Sequence, residues 1–215
     1  MTARLMSVNV GSAVPAPYGN QPGGRTAIDK RPAQGQVAVH RLGVDGDEQV
    51  HPAHGGVDKA VYAYAHEDAI WWAAELDRPL WPGAFGENLT TEGLDVTGAE
   101  IGERWRIGSA VFQVAEPRIP CNVFAGFWDV PDLIRRFTER GRPGAYLRVV
   151  TTGTVAAGDP IEVVQRPGHE VTVGEVFRAR TGERDLVPRL LEAAELAPDW
   201  HDWARRVLRG STRRP

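Results

Sequence analysis

The sequence predicts a mainly β protein: a closed or nearly closed β-barrel with a few helices, followed by a small all-helical C-terminal region. Three observations carry this reading. Short alternating apolar runs recur between residues 4 and 164, separated by stretches rich in glycine and proline, as in an antiparallel all-β unit. At Arg166-Pro167-Gly168-His169 that alternation stops. Beyond it, residues 186–196 and 199–208 carry helical apolar spacing. The boundary is therefore placed at residue 168, with the barrel over 1–168 and the helical unit over 169–215.

Taken in order, residues 4–10 alternate well enough for a first strand. Residues 11–24 form a polar, broken loop of a length that is usually functional or mobile. Val37, Val39 and Val44 mark a second extended region, ending in Leu42-Gly43-Val44-Asp45-Gly46-Asp47-Glu48-Gln49. Its two glycines and acids suggest a tight turn or an oxygen-lined ion site, and the turn is preferred because the spacing does not match an EF-hand loop. Residues 60–64 read as a strand, and residues 67–78 as a helix stopped by Pro79. Two alternating runs, 104–107 and 110–114, flank Gly108-Ser109 as a hairpin. Asp129 suits an N-cap, with Pro131 in the first turn and Gly141 closing a helix over 133–140. Residues 144–150 and 161–164 are strands, and Thr172-Val173-Gly174-Glu175 resembles a capping box.

Composition narrows the function. With 42% hydrophobic and 25% charged residues, the 215-residue chain is ordinary for a soluble globular protein. A net charge of −3 gives no reason to expect nucleic acid as a partner. No signal-peptide pattern opens the chain, and no apolar run approaches the roughly 18 residues that span a membrane. A cytoplasmic location, away from membranes, is the expectation. The single cysteine, Cys121, rules out an internal disulfide and any protein-only cysteine cluster.

Chemistry concentrates in three places. Cys121 follows Pro120 in Ala115-Glu116-Pro117-Arg118-Ile119-Pro120-Cys121-Asn122, where two prolines disfavour helix and central strand. A thiol near a cation such as Arg118 tends toward thiolate, although lone cysteines are commonly small buried hydrophobes. Upstream, His54-Gly55-Gly56-Val57-Asp58-Lys59 combines titratable groups with paired glycines that bring backbone N–H groups to an anion; a strained turn is the plainer alternative. Lysine occurs only at Lys30 and Lys59, which draws attention to Lys59. Between these lies Phe85-Gly86-Glu87-Asn88-Leu89, whose polar pair could serve a ligand or tie its own loop.

In this order, and with Leu42-Gly43-Val44-Asp45-Gly46-Asp47 before them, the clusters resemble the MOSC family, named for the molybdenum cofactor sulfurase C-terminal domain. The helical tail is similar to that of a bacterial branch that includes 6-N-hydroxylaminopurine resistance proteins. The likeness covers roughly residues 5 to 208.

The resemblance implies a barrel that binds the molybdenum–pterin cofactor, with Cys121 ligating molybdenum. It makes Lys59 and Arg118 candidates for the pterin phosphate or for holding the thiolate, with Gly55 and Gly56 adding anion contacts. Asp58 is a candidate proton carrier, His54 a cofactor contact or organiser of its loop, and Glu87 and Asn88 contacts or braces. The expected reaction is reduction of an N-hydroxylated compound, such as an N-hydroxylated purine base, which loses its oxygen as water. No flavin, nicotinamide or iron–sulfur motif is visible, so a separate electron-donor reductase is implied. The chain could also form a homodimer. The rivals are a cofactor carrier without turnover, a cysteine nucleophile with His51 or His54 as base, and pyridoxal phosphate at Lys59, a cofactor historically tied to the family.

Overall fold

Alternating side chains decide the architecture, because one sheet has to serve two different cores. The computed structural model describes residues 2–18, 24–50 and 55–211. Strand β1 (Arg4–Val10) forms where predicted, and the long connection after it holds three two-residue strands. Of these, β2 (Val14–Pro15) pairs with β3 (Arg25–Thr26), and β4 (Arg31–Pro32) lies against the end of β1. β5 (Val37–His40) and β6 (Gly43–Val44) follow, then β7 (Val61–Ala65), helix α1 (His66–Glu75) and β8 (Leu89–Glu92). The hairpin is β9 (Arg104–Ile107) and β10 (Ala110–Pro117), followed by helices α2 (Asn122–Trp128) and α3 (Leu133–Arg140). Strands β11 (Ala145–Thr151), β12 (Gly153–Val155) and β13 (Ile161–Gln165) lead to α4 (Val173–Thr181), a 3-10 segment Arg184–Glu192 and α5 (Pro198–Ser211).

Eight strands form one mixed sheet in the order β13-β9-β10-β11-β7-β8-β1-β4, with β7 and β8 the parallel pair. β12, β5 and β6 form a second, three-stranded sheet. The expected closed barrel is corrected here: the large sheet does not close on itself. Among the described residues, β1 meets the approach to β13 at an isolated bridge, Arg4 to Pro160, with hydrogen bonds from Leu5 N to Asp159 O, Gly158 N to Leu5 O and Ile161 N to Ala3 O. β4, the edge strand on that side, is only two residues long and pairs only with Asn9 and Val10 at the far end of β1, so it offers no ladder to β13.

Period two separates the cores. Along β7, Val61, Ala63 and Ala65 join the larger aliphatic core, whereas Tyr62 and Tyr64 join an aromatic one; β11 repeats this with Leu147 on one side and Tyr146 on the other. The aliphatic core runs without a break from Leu5 and Trp105 to Val176, Leu190 and Trp200 of the C-terminal region. The aromatic core packs Trp72, Phe85, Phe124, Trp128 and Phe137 from α1, α2, α3 and the loop before β8. Each such side chain, fully buried, stabilises by roughly 1.5–3 kcal/mol.

Three local expectations change. β10 runs through to Pro117, three residues further than the sequence suggested, because β9 stops pairing at Gln113 and leaves Pro117 a partner on one side only, Ala145. A short helix, α2, starts directly after Cys121, which stands at its N-cap position. Asp129 does not cap α3; it ends α2 in the left-handed region at φ 48°, and Asp132 precedes α3.

Candidate functional site

The end of β10, the turn into α2 and the loop before β8 enclose a cavity of about 110 Å³ on the aromatic side of the sheet. Cys121, Arg118, Lys59 and Asn88 line it, with Tyr62 and Tyr146 from the adjacent strands β7 and β11. The opposite wall comes from the connection before β4 and the segment after β6, including Arg25, Lys30, Asp47 and Gln49.

Cys121 is partly exposed and packs at the margin of the aromatic core. Three residues back, Arg118 is 4% exposed and its guanidinium lies 4.2 Å from the ring centre of Phe124. Its Nη1 atom is buried without a hydrogen-bond partner among the described residues. A buried cationic donor left unpaired costs free energy unless something meets it, and this one lies on the cavity wall. Burial keeps the hydroxyls of Tyr62 and Tyr146 protonated far beyond neutrality; that of Tyr146 is pushed up to about 12, with Arg118 acting in the opposite sense. Tyr62 donates its proton to Pro143 O at 2.8 Å.

Lys59 ends a 3-10 turn, Val57–Lys59, and its Nζ lies 3.3 Å from Oε1 of Glu116. Glu116 is buried, and its other oxygen accepts from Trp200 Nε1 at 3.0 Å. Burial pushes the Glu116 carboxyl above the usual glutamate range, while Lys59 and Trp200 pull it back. Lys30 and Asp47 form a second, deeper pair, with side chains 8% and 2% exposed. Burial lowers the Lys30 ammonium from its ordinary value even against Asp47. Asp47 also accepts from Asn88 Nδ2 at 2.9 Å and from Gly11 N at 2.9 Å.

The structure thus brings Cys121, Arg118, Lys59 and Asn88 to one cavity and leaves other candidates off its wall. Asp58 turns to Arg148, Oδ1 to Nε 2.6 Å. Glu87 is 1% exposed and braces its loop, accepting from Gly83 N at 2.7 Å, Phe85 N at 3.0 Å and the Thr90 hydroxyl at 2.8 Å. Asn88 lines the cavity and braces too, since its Oδ1 accepts from Tyr62 N at 3.1 Å. Gly55 and Gly56 precede the 3-10 turn and do not line the cavity; Gly56 has φ 92°, a conformation that favours glycine. His54 and His51 lie outside the described residues. Trp128 belongs to the aromatic core and Phe127 packs against it, and neither lines the cavity. Sequence reasoning passed over Lys30, Tyr62 and Tyr146. The scarcity of lysine was a signal for Lys30, and period two along β7 and β11 places Tyr62 and Tyr146 on one face.

The residues present fit a cofactor that brings its own metal. Among the described residues no three His, Cys, Asp or Glu side chains group as metal ligands, so this site offers one thiol and several cations. A metal already chelated by other sulfurs needs one further soft donor, and the unpaired Arg118 Nη1 suits an anionic oxygen. No helix among the described residues is long and apolar enough to cross a membrane.

Comparison with known proteins finds relatives over most of the chain. Residues 50–162 match the MOSC domain model. Protein YiiM of Escherichia coli (strain K12) is 35% identical over 182 residues, covering 81% of this chain and 81% of YiiM. A protein named reductase from Gibberella moniliformis is 34% identical over 171 residues, covering 75% of this chain and 30% of that longer protein. The crystal structure of YiiM from Geobacillus stearothermophilus superposes with a TM-score of 0.81 at 28% identity, covering 96% of this chain and 99% of that one.

Proposed function

The chain belongs to the MOSC domain family, in the branch of YiiM, the 6-N-hydroxylaminopurine resistance protein, and on that premise we propose that it is a molybdenum-cofactor-dependent reductase of N-hydroxylated compounds. The family's general association with the molybdenum cofactor and the fungal relative named reductase support the reading. The observation that carries it is Cys121: the only sulfur donor besides methionine stands on a cavity wall shared with Arg118 and Lys59.

In this reading Cys121 Sγ is the protein's ligand to molybdenum. Arg118 Nη1 and Lys59 Nζ hold anionic oxygens of the pterin group, as charge-assisted donors. When bound, the cofactor supplies two-electron and oxygen-atom chemistry. The protein's own part is placement and protons. Tyr146 Oη keeps its proton across the neutral range, so it presents a donor to a substrate oxygen and not a negative charge. Phe85 and Tyr62 line the same cavity as the thiol and give it an aromatic wall. Electrons come from a separate reductase.

The test is metal analysis of protein made with the cofactor pathway intact, wild type beside Cys121→Ser. Molybdenum near stoichiometry in wild type and a large loss in the variant are expected; equal metal in both removes the ligand assignment. Turnover of an N-hydroxylated purine base by loaded protein with an electron donor then separates a reductase from a cofactor carrier.

A further inference from the structure

The helices after β13 reach the cavity through one side chain. Trp200, on α5, is 9% exposed and donates its indole N–H to Glu116 Oε2 at 3.0 Å. Glu116, 5% exposed near the end of β10, holds Lys59 Nζ at 3.3 Å with its other oxygen. Lys59 lines the cavity, whereas Trp200 and Glu116 do not. The same 3-10 turn is tied a second time: Arg148 bonds Asp58 Oδ1 through Nε at 2.6 Å and Glu195 O through Nη1 at 2.7 Å. Two neighbouring residues of this turn, of which Lys59 lines the cavity, are therefore both anchored to the C-terminal region, each through one charged intermediary in the sheet.

We propose that Trp200 is a positioning residue for the candidate site, fixing the Lys59 ammonium on the cavity wall by orienting and hydrogen-bonding the Glu116 carboxylate. A carboxylate has two oxygens that accept hydrogen bonds but give none. The indole N–H occupies one, is donor only, and is held by the core around α5, so it selects which oxygen faces Lys59. This makes the C-terminal helices part of the site's construction. The functional weight of the relay rests on the reading that Lys59 meets an anionic group of the cofactor.

The chain's two lysines permit a direct test, since Lys30 lines the same cavity but is held by Asp47. Full-length wild type, Trp200→Phe and Glu116→Gln are reductively methylated with limiting formaldehyde, and the rate at each lysine is read by peptide mass spectrometry. Trp200→Phe keeps an aromatic ring in the core and removes the donor; Glu116→Gln leaves α5 untouched and removes the countercharge. Several-fold faster labelling of Lys59 in both variants is expected, with Lys30 unchanged. Unchanged Lys59 rates in either variant overturn the proposal, as does a parallel rise at Lys30, which would report general loosening. A separate arm in wild type adds inorganic phosphate. If phosphate does not protect Lys59, the anion-binding reading of that lysine falls, while the variants still decide the relay.

Discussion

Glu87 shows how a residue conspicuous in the sequence serves a site without touching it. Its carboxyl gathers two backbone N–H groups and the Thr90 hydroxyl, which sets the bend that carries Phe85 and Asn88 to the cavity. Burial raises its pKa from the ordinary 4.5, and the hydrogen bonds from Gly83, Thr90 and Phe85 only partly offset this. A carboxyl raised on folding binds its proton more tightly in the folded state. Its contribution to stability is therefore present below the unfolded pKa and is lost as pH rises through the folded one. Glu87→Gln is expected to destabilise at every pH, because an amide cannot accept on both sides, and also to flatten the decline in stability from about pH 4.5 upward. Denaturant unfolding of both proteins at several pH values checks this; parallel pH profiles would refute it. Asp58 teaches a related lesson. Its place beside Lys59 made it a candidate, yet successive residues in a 3-10 turn point about 120° apart, so Lys59 reaches the cavity while Asp58 reaches Arg148. Arg118 and Cys121 were legible because one short loop carries both. Lys30 and Asp47 were not, since only the long-range fold makes them a pair.

Two elements with local signals, the β9–β10 hairpin and the capping box of α4, emerged as read. The hairpin β9–β10 turns at Gly108, φ 56°, and an added Cβ there would stand 2.3 Å from Thr154 O. Gly108→Ala is therefore expected to destabilise markedly, by more than the roughly 1 kcal/mol that ordinary glycine substitutions change. The capping box at α4 is complete: Glu175 N donates to Thr172 Oγ1 at 3.2 Å and Thr172 N to Glu175 Oε2 at 3.0 Å. Thr172→Ala is expected to cost about 1 kcal/mol, read as a lower thermal midpoint with unchanged helix content at 25 °C. An unaltered midpoint would mean that packing of Val173 and Val176 alone starts the helix. Helix α2 escaped the sequence reading because its seven residues, one of them Gly126, carry little intrinsic preference. Phe124 and Trp128, both buried in the aromatic core, supply what propensity does not.

At the scale of the whole molecule, the question is whether the strands and the terminal helices behave as one body. The change in sequence pattern at residue 168 argues for two units, since it separates alternation from helical spacing. Pattern, however, reports only which face of an element is apolar and not what that face meets. Here Val173, Val176, Leu190 and Ala204 share a continuous core with Ile101, Trp105 and Val114 of the sheet region. Polar ties cross the same junction: Trp200 to Glu116, Arg148 to the carbonyl of Glu195, and Glu170 N to Glu100 Oε1 at 2.6 Å. Separating the helices would expose the apolar faces of both parts to water and break these polar ties. The chain is therefore expected to unfold in a single cooperative transition, with calorimetric and van't Hoff enthalpies in agreement. Two resolved transitions, or loss of α4 and α5 signals before those of the sheet, would show that the junction is weaker than its contacts imply. If the single transition holds, substitutions on α5 lower the thermal midpoint of the whole molecule, the cysteine loop included.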